Sequence, residues 1–296
     1  MRILLVGGNG QVGHELRRSL VSLGEVIVTT RTGQLDGGDA LACDLSQSGA
    51  PANVVEYVAP DIVVNAAAYT AVDKAENESK LAFRINAGAA GELAQACTTR
   101  DIPLIHYSTD YVFDGRGNRP YLPDDVTSPL GVYGESKLAG ERAIRASRAK
   151  HLILRTAWVY GSHGHNFLKT MLRVGAERDE LRVVSDQIGS PTPAWLIADV
   201  TAKILAQGIG EGGTHHLVCA GQTSWHGFAE AIFDEAIASR KLARKPVVHA
   251  IPTSEYPTPA RRPAWSVLDT GSLERAYRIR LPDWQPALSE TLRASA

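Results

Sequence analysis

Cysteine is scarce in this 296-residue chain: Cys43, Cys97 and Cys219 are odd in number, far apart and without CxxC spacing. That pattern argues against a disulfide framework and a cysteine zinc site, and fits reduced thiols in the cytosol. An excess of one charge is also missing. Lys and Arg number 31 against 32 Asp and Glu, a formal net charge of -1, so no basic field points to nucleic acid or an acidic membrane surface. No apolar run approaches the roughly 18 residues of an ordinary transmembrane helix. The opening "MRILLVGGNG" has a short apolar run that ends in glycines, so it reads as a buried strand and not as a signal peptide. Internal repeats and low-complexity tracts are absent too. These absences leave a soluble chain with an expected cytoplasmic location. Hydrophobic residues make up 44% and charged residues 21%, and the length suffices for one large domain or two intimately joined ones.

Strands and helices alternate through the first half. "RILLVG" reads as a strand and "GHELRRSLVSLG" as a helix that Gly24 can cap. "EVIVTT", "DIVVNAAA", "PLIHYST" and "HLILRTAWVYG" read as further strands, and "AFRINAGAAGELAQACTTR" as a helix. Continuous apolar strands separated by helices indicate a parallel sheet covered on both faces. Beyond about residue 160 the elements shorten and proline and aromatic loops increase, as in "TSEYPTPARRPAW". The expected architecture is α/β: a Rossmann-type doubly wound parallel sheet over 1–160, binding NAD(P), with a smaller C-terminal α/β substrate-binding domain over 161–296. Some of its segments are expected to return to the sheet.

The glycines supply the first chemistry. "VGGNGQVG" follows the first strand and opens the first helix, giving Gly7-x-x-Gly10-x-x-Gly13. Glycines there permit a tight turn, close approach of backbone to phosphate and close helix–sheet packing. Gly7, Gly10, Gln11 and Val12 would present free amides to a pyrophosphate at the helix N-terminus. The second strand ends in Thr30 and Arg31, where a cofactor without a 2′-phosphate usually meets a carboxylate; a guanidinium suits NADPH, although a solvated loop arginine would look the same. Asp44 and Leu45 lie where the third strand should end, within reach of an adenine. Ala66, Ala67 and Ala68 are small enough to admit a nicotinamide ribose.

"VYGESK" places Tyr133 and Lys137 one turn apart on a helical face. An ammonium beside a phenol favours the phenolate, so Lys137 is expected to lower the Tyr133 pKa and make it a proton donor usable near neutrality.

The glycine turn, "NAAAYTAVDKAE", "HYSTDYVFDG", "SPLGVYGESKLAGE" and "RTAWVYG" together resemble the extended short-chain dehydrogenase/reductase family. The likeness continues through "NFLKTMLR", "DQIGSPT", "TSWHGFA" and "TSEYPTPARRPAWSVLDT", and so covers nearly the whole chain. It implies a catalytic trio of Tyr133, Lys137 and Thr109. Tyr133 would protonate the alkoxide as hydride arrives, Lys137 would also hold the nicotinamide ribose, and Thr109 would hydrogen-bond the carbonyl oxygen. The branch it most resembles reduces the 4-keto group of a dTDP-linked 6-deoxyhexulose with NADPH or NADH. Val72, Asp110 and Trp158 then match positions lining sugar and nucleotide, and Arg262 is the candidate for the diphosphate. Trp158 could equally be a packed aromatic.

Some relatives are dimers bridged by Mg2+ on glutamates. Glu15 matches one such position, but Trp195 stands where a second glutamate would lie and "ETLRASA" offers no clear third, so no bridging metal is expected. A homodimer by other contacts stays open. Two alternatives remain: another nucleotide-sugar reductase, epimerase or dehydratase, and a non-catalytic regulatory subunit of the methionine adenosyltransferase type. Dehydratases usually carry an acidic pair after the Thr, whereas Thr109 is followed by Asp110 and Tyr111, and a binding module needs no proton donor.

Overall fold

The structure, a computed structural model, describes residues 1–294. The strands Arg2–Val6, Glu25–Thr30, Leu41–Ala42, Ile62–Asn65, Leu104–Thr109, His151–Thr156 and Gly213–His216 form one parallel sheet. Counted along the chain, their order across the sheet is 3-2-1-4-5-6-7, the doubly wound arrangement whose direction reverses between the first and fourth strands. Because successive strand side chains point to opposite faces, Ile3 and Leu5 enter one hydrophobic core and Leu4 and Val6 another. Ile62 and Val64 against Val63, and Leu152 and Leu154 against Ile153, repeat the division. Both faces are covered, so the strands read as unbroken apolar runs.

The helices Ala50–Val58 and Ala89–Arg100 close one face with Val54, Val55, Leu93 and Cys97. Gln11–Ser19 and Ala194–Gln207 close the other with Leu16, Ile197, Val200 and Ile204. The latter core runs on to Phe228 and Ile232 of the helix Trp225–Ala238 and to Trp284, so the two halves of the chain share one apolar interior. Gly213–His216, from the second half, pairs with His151–Thr156 as the sheet's edge. Away from the sheet, Glu180–Val184 pairs in parallel with Val247–Ile251. Cys43, Cys97 and Cys219 are all free and buried.

Local signals act where backbone crowding leaves no choice. After the first helix a short 3-10 turn, Val21–Leu23, ends at Gly24, whose φ is +150° and whose Cβ would lie 1.9 Å from the Met1 carbonyl oxygen. The alanine-rich helix is interrupted by a π turn over Arg84–Gly88. At that turn Asn86 donates to the Tyr69 carbonyl and the Ser136 hydroxyl and accepts from the Tyr69 amide. The helix Val132–Ser147 crosses it closely enough that a Cβ at Gly140 would sit 2.1 Å from the Asn86 carbonyl oxygen. Insertions of this type recur at functional sites.

One buried ion pair ties this helix to the sheet. Arg155, 2% exposed, donates to both carboxylate oxygens of Glu141, 0% exposed, at 2.8 and 2.7 Å. Ser108 donates to the same carboxylate at 2.6 Å, and Arg155 also reaches the Pro123 carbonyl at 2.9 Å. Removing one partner of such a pair costs about 3–5 kcal/mol, whereas apolar replacement of both is often near neutral. Glu141→Ala should therefore lower the thermal unfolding midpoint markedly, and Glu141→Leu with Arg155→Met should recover most of the loss; equal midpoints for wild type and Glu141→Ala would refute the account.

Candidate active site

Parallel strands place their carboxyl ends along one edge of the sheet, and the sequence-predicted residues gather there. Gly7 follows the first strand with φ +92°, and its Cβ would fall 2.7 Å from the Ala67 backbone beyond the fourth strand. The chain passes so closely that no side chain fits at this turning point, where ligands of doubly wound sheets bind. A Cβ at Gly13 would lie 2.0 Å from the Gly7 carbonyl oxygen. Gly10 caps the helix Gln11–Ser19 without a side-chain bond, which leaves the amides of Gln11 and Val12 for an anion. The turn fits a dinucleotide phosphate: open at Gly10, too tight for side chains at Gly7 and Gly13. A loop of the second half lies over it, with Asn166 donating to Gln11 Oε1 at 2.9 Å and His163 bonded to the Asn9 carbonyl at 3.1 Å.

Thr30 is buried, with its hydroxyl unpartnered among the described residues, and Arg31 beside it is exposed. The Asp44 carboxyl is held below the usual range by the Ser46 amide and hydroxyl, with Arg31 adding to the effect. Leu45 is buried, while Ala66, Ala67 and Ala68 are half-buried next to the turn.

Tyr133 and Lys137 stand on the helix Val132–Ser147. Its N-cap, Gly131, has no side chain to close it, and Glu76 from a separate segment accepts from the Val132 amide at 3.0 Å. That carboxylate also complements the positive end of the helix. The helix start presses on the segment after Thr109, where a Cβ at Gly134 would lie 2.2 Å from the Tyr111 carbonyl oxygen. Tyr133, Lys137 and Glu141 follow one another at helical spacing, and Glu141 is anchored to Arg155.

The electrostatics depart from the expectation drawn from Tyr133–Lys137 spacing. Burial raises the Tyr133 hydroxyl to about 12, the nearby Thr109 hydroxyl opposes this, and Asp110 adds to it. Lys137 does not depress it, because its amino group turns to the sheet, donating to the Tyr107 carbonyl at 2.7 Å and lying 3.2 Å from His106 Nε2. Burial lowers Lys137 itself to about 8, against the pull of Glu141. Thr109 donates to Asp110 Oδ1 at 3.0 Å and accepts from the Tyr111 amide. Burial raises Asp110 to about 6, and its Oδ2 is buried without a hydrogen-bond partner among the described residues.

Tyr111 packs edge-on against Tyr133, with ring centroids 5.4 Å apart. Arg262, in the proline-rich loop, donates through Nη2 to Asp73 at 2.8 Å, while its Nη1 is buried and unpartnered among the described residues. Asp73 also accepts from the Ala260 amide, so it draws this loop to the short helix Val72–Ala75. Trp158 is half-buried and has φ +49°, a strained conformation for an aromatic residue. It stacks on Trp225 at 3.6 Å, and the space beside it is open only because residue 189 is glycine. A Cβ there would lie 2.5 Å from the indole. Val72, Asp110, Trp158 and Arg262 thus come from both halves.

Sequence reading missed His106, Asn65, Asp73 and Trp225. Asp73 sits beside Val72 and Trp225 lies in a quoted segment, but only folding shows their partners. Glu141 was missed as well, although it stands two turns beyond Tyr133 on the same helix. Glu15 pairs with Arg18 at 3.1 Å, and Trp195 donates to Thr291 at 2.9 Å. The quoted "ETLRASA" ends in residues 295 and 296, outside the described residues.

The RmlD substrate binding domain family matches residues 1–296. A dTDP-4-dehydrorhamnose reductase of Shigella flexneri is 46% identical over 99% of this chain and 97% of its own length. Among solved structures, one described as a dTDP-4-dehydrorhamnose reductase from Clostridium acetobutylicum is 37% identical, with a TM-score of 0.89 and 99% of both chains covered. Another, from Bacillus anthracis in complex with NADP, is 33% identical, with a TM-score of 0.90 and the same coverage. For the site itself, a side-chain-resolved NMR titration of Lys137 should give a midpoint near 8, far below the 10.5 of a solvated lysine; a midpoint above 10 would mean that the amine reaches water.

Proposed function

The chain belongs to the RmlD substrate binding domain family, that of the dTDP-4-dehydrorhamnose reductases, and from that premise we propose how its own residues carry out the reduction. The protein is an NADPH-dependent oxidoreductase that reduces the 4-keto group of dTDP-6-deoxy-L-lyxo-4-hexulose to dTDP-L-rhamnose, the last step of dTDP-rhamnose synthesis. What supports the mechanism is that Tyr133 and Lys137 share one helix and that the Tyr133 hydroxyl lies by Thr109, at the carboxyl end of its strand.

Gly7, Gly10, Gln11 and Val12 would hold the cofactor diphosphate, Thr30 and Arg31 the 2′-phosphate, Asp44 and Leu45 the adenine side, and Ala66, Ala67 and Ala68 the nicotinamide ribose. The bound cofactor supplies the hydride. Tyr133 gives its proton to the oxygen that becomes the new alcohol. A phenol raised to about 12 still carries that proton at neutral pH, as a general acid must. Thr109 orients the carbonyl oxygen, which requires its hydroxyl to leave Asp110. Arg262 carries a free Nη1 and holds the substrate diphosphate, while Val72, Asp110 and Trp158 line sugar and base. Residues 161–296 thereby serve mainly as the substrate side, with Gly213–His216 returned to the sheet.

Among the described residues no helix is long and apolar enough to cross a membrane. We read the protein as cytoplasmic, acting on a dTDP-sugar, with any homodimer held by contacts other than a metal at Glu15. Stoichiometric NADPH consumption with the 4-keto sugar nucleotide tests the reading, since an epimerase returns its hydride and a regulatory subunit turns nothing over. Tyr133→Phe should keep dinucleotide affinity and reduce turnover roughly a hundredfold or more; near-normal turnover would remove Tyr133 from the chemistry. Arg262→Ala should weaken the sugar nucleotide by about one to two decades, the worth of a charge-assisted contact, with little effect on cofactor. Equal losses for both ligands would assign Arg262 a structural role.

A further inference from the structure

Three buried side chains, two on the sheet and one on the helix Val132–Ser147, form a chain of hydrogen bonds whose protons can be counted. Asn65, His106 and Lys137 are 2%, 1% and 2% exposed. The Ala67 amide donates to Asn65 Oδ1 at 3.1 Å, which fixes the side-chain amide and leaves Asn65 Nδ2 facing His106 Nδ1 at 3.0 Å. An amide nitrogen only donates, so His106 Nδ1 must be the acceptor and the ring proton must sit on Nε2. His106 Nε2 faces Lys137 Nζ at 3.2 Å. An ammonium has three donors and no lone pair, so Nε2–H against an ammonium sets donor against donor. Flipping Asn65 would rescue the imidazole only by opposing its NH2 to the Ala67 amide. A neutral amine satisfies every bond: it accepts from His106 Nε2–H and donates to the Tyr107 carbonyl at 2.7 Å.

We infer that His106 is a positioning residue for the reduction: Asn65 fixes it as the Nε2–H tautomer, and it aims a donor at Lys137, so that imidazole and lysine share one proton fewer than a histidine beside an ammonium would hold. The inference rests on the reductase reading for its consequence, though not for its chemistry. Burial, with Lys137 as the second cause, holds His106 well below its usual value, so the imidazole is neutral. Other charges nearby are few. On the same helix, Glu141 favours the lysine's proton but is itself held by Arg155, Arg145 and Ser108, and Tyr133 stands one turn earlier. Level with His106 on the flanking strands are Asn65 and the apolar Ile153. The helix Ala89–Arg100 turns apolar Ala90 and Leu93 into the same core. Burial already brings Lys137 down to about 8, and a donor aimed at its nitrogen favours the uncharged amine further.

Two readouts test this. Long-range proton–nitrogen NMR of histidine-labelled wild type should show His106 protonated on Nε2, with Nδ1 bare; protonation on Nδ1 overturns the proposal, whatever the enzyme's activity. In Asn65→Asp a carboxylate can accept from the Ala67 amide and from Nδ1–H, so the tautomer should invert and Nε2 should accept from the ammonium. The alkaline limb of kcat/KM for keto-sugar reduction should then move up by about one pH unit or more. His106→Gln, whose carbonyl oxygen can face the ammonium, should shift the limb the same way. An Asn65→Asp protein that keeps Nε2–H, or an unmoved limb in the folded variants, overturns the proposal. If the wild type reduces no keto sugar, the functional reading fails while the tautomer still decides the proton count.

Discussion

The charged pair beneath the catalytic helix, Glu141 to Arg155 at 2.7 and 2.8 Å, fixes that helix about its own axis. Tyr133, Lys137 and Glu141 share one face at four-residue steps, so anchoring the last of them sets the direction of the other two. Ser108 and Arg155 come from adjacent strands, and the bridge therefore registers the helix against the sheet as well as turning it. Contacts without side chains set the depth of the approach: Gly134 lies over the Tyr111 carbonyl and Gly140 over the Asn86 carbonyl. A helix held by charge past its middle and by backbone contact at Gly134 and Gly140 has little freedom to misplace a phenol.

Burial then acts on every titratable group of the site in one sense, favouring the neutral form. It raises Tyr133 and Asp110 and lowers Lys137 and His106. Charge persists where a partner is built in, as at Glu141 with Arg155 and at Arg262 with Asp73. A phenol that keeps its proton at neutral pH, beside a lysine close to its titration point, fits the proposed proton transfer better than a fixed array of ions would.

The second half of the chain packs onto the first without forming a separate body. Its core is continuous with that of the sheet, and it reaches the first half through Arg262 to Asp73 and through Asn166 to Gln11. Both contacts lie where ligands are expected, on the substrate side and over the glycine turn. Trp158 holds a left-handed backbone, braced by Trp225 on its face and accommodated by the absent side chain at Gly189. Strain of this kind survives where surrounding packing over-determines it.

The amino-acid sequence alone determined the alternating architecture, because strands buried on both faces must be apolar throughout and helices between them must carry one apolar face. It also marked the glycine turn and the Tyr133–Lys137 spacing, since both are short-range patterns with a fixed geometric meaning. Long-range proximity was another matter. That Asn65 meets His106 across 41 residues, or Arg262 meets Asp73 across 189, follows from strand order and loop packing, which leave no local signature. The protonation preferences were hidden for the same reason. A spacing rule predicted that Lys137 would acidify Tyr133, whereas the folded chain turns the amine toward the Tyr107 carbonyl and buries the phenol, and desolvation outweighs the expected attraction. Sequence fixes which groups are available; only the packed interior decides which of them keep their charge.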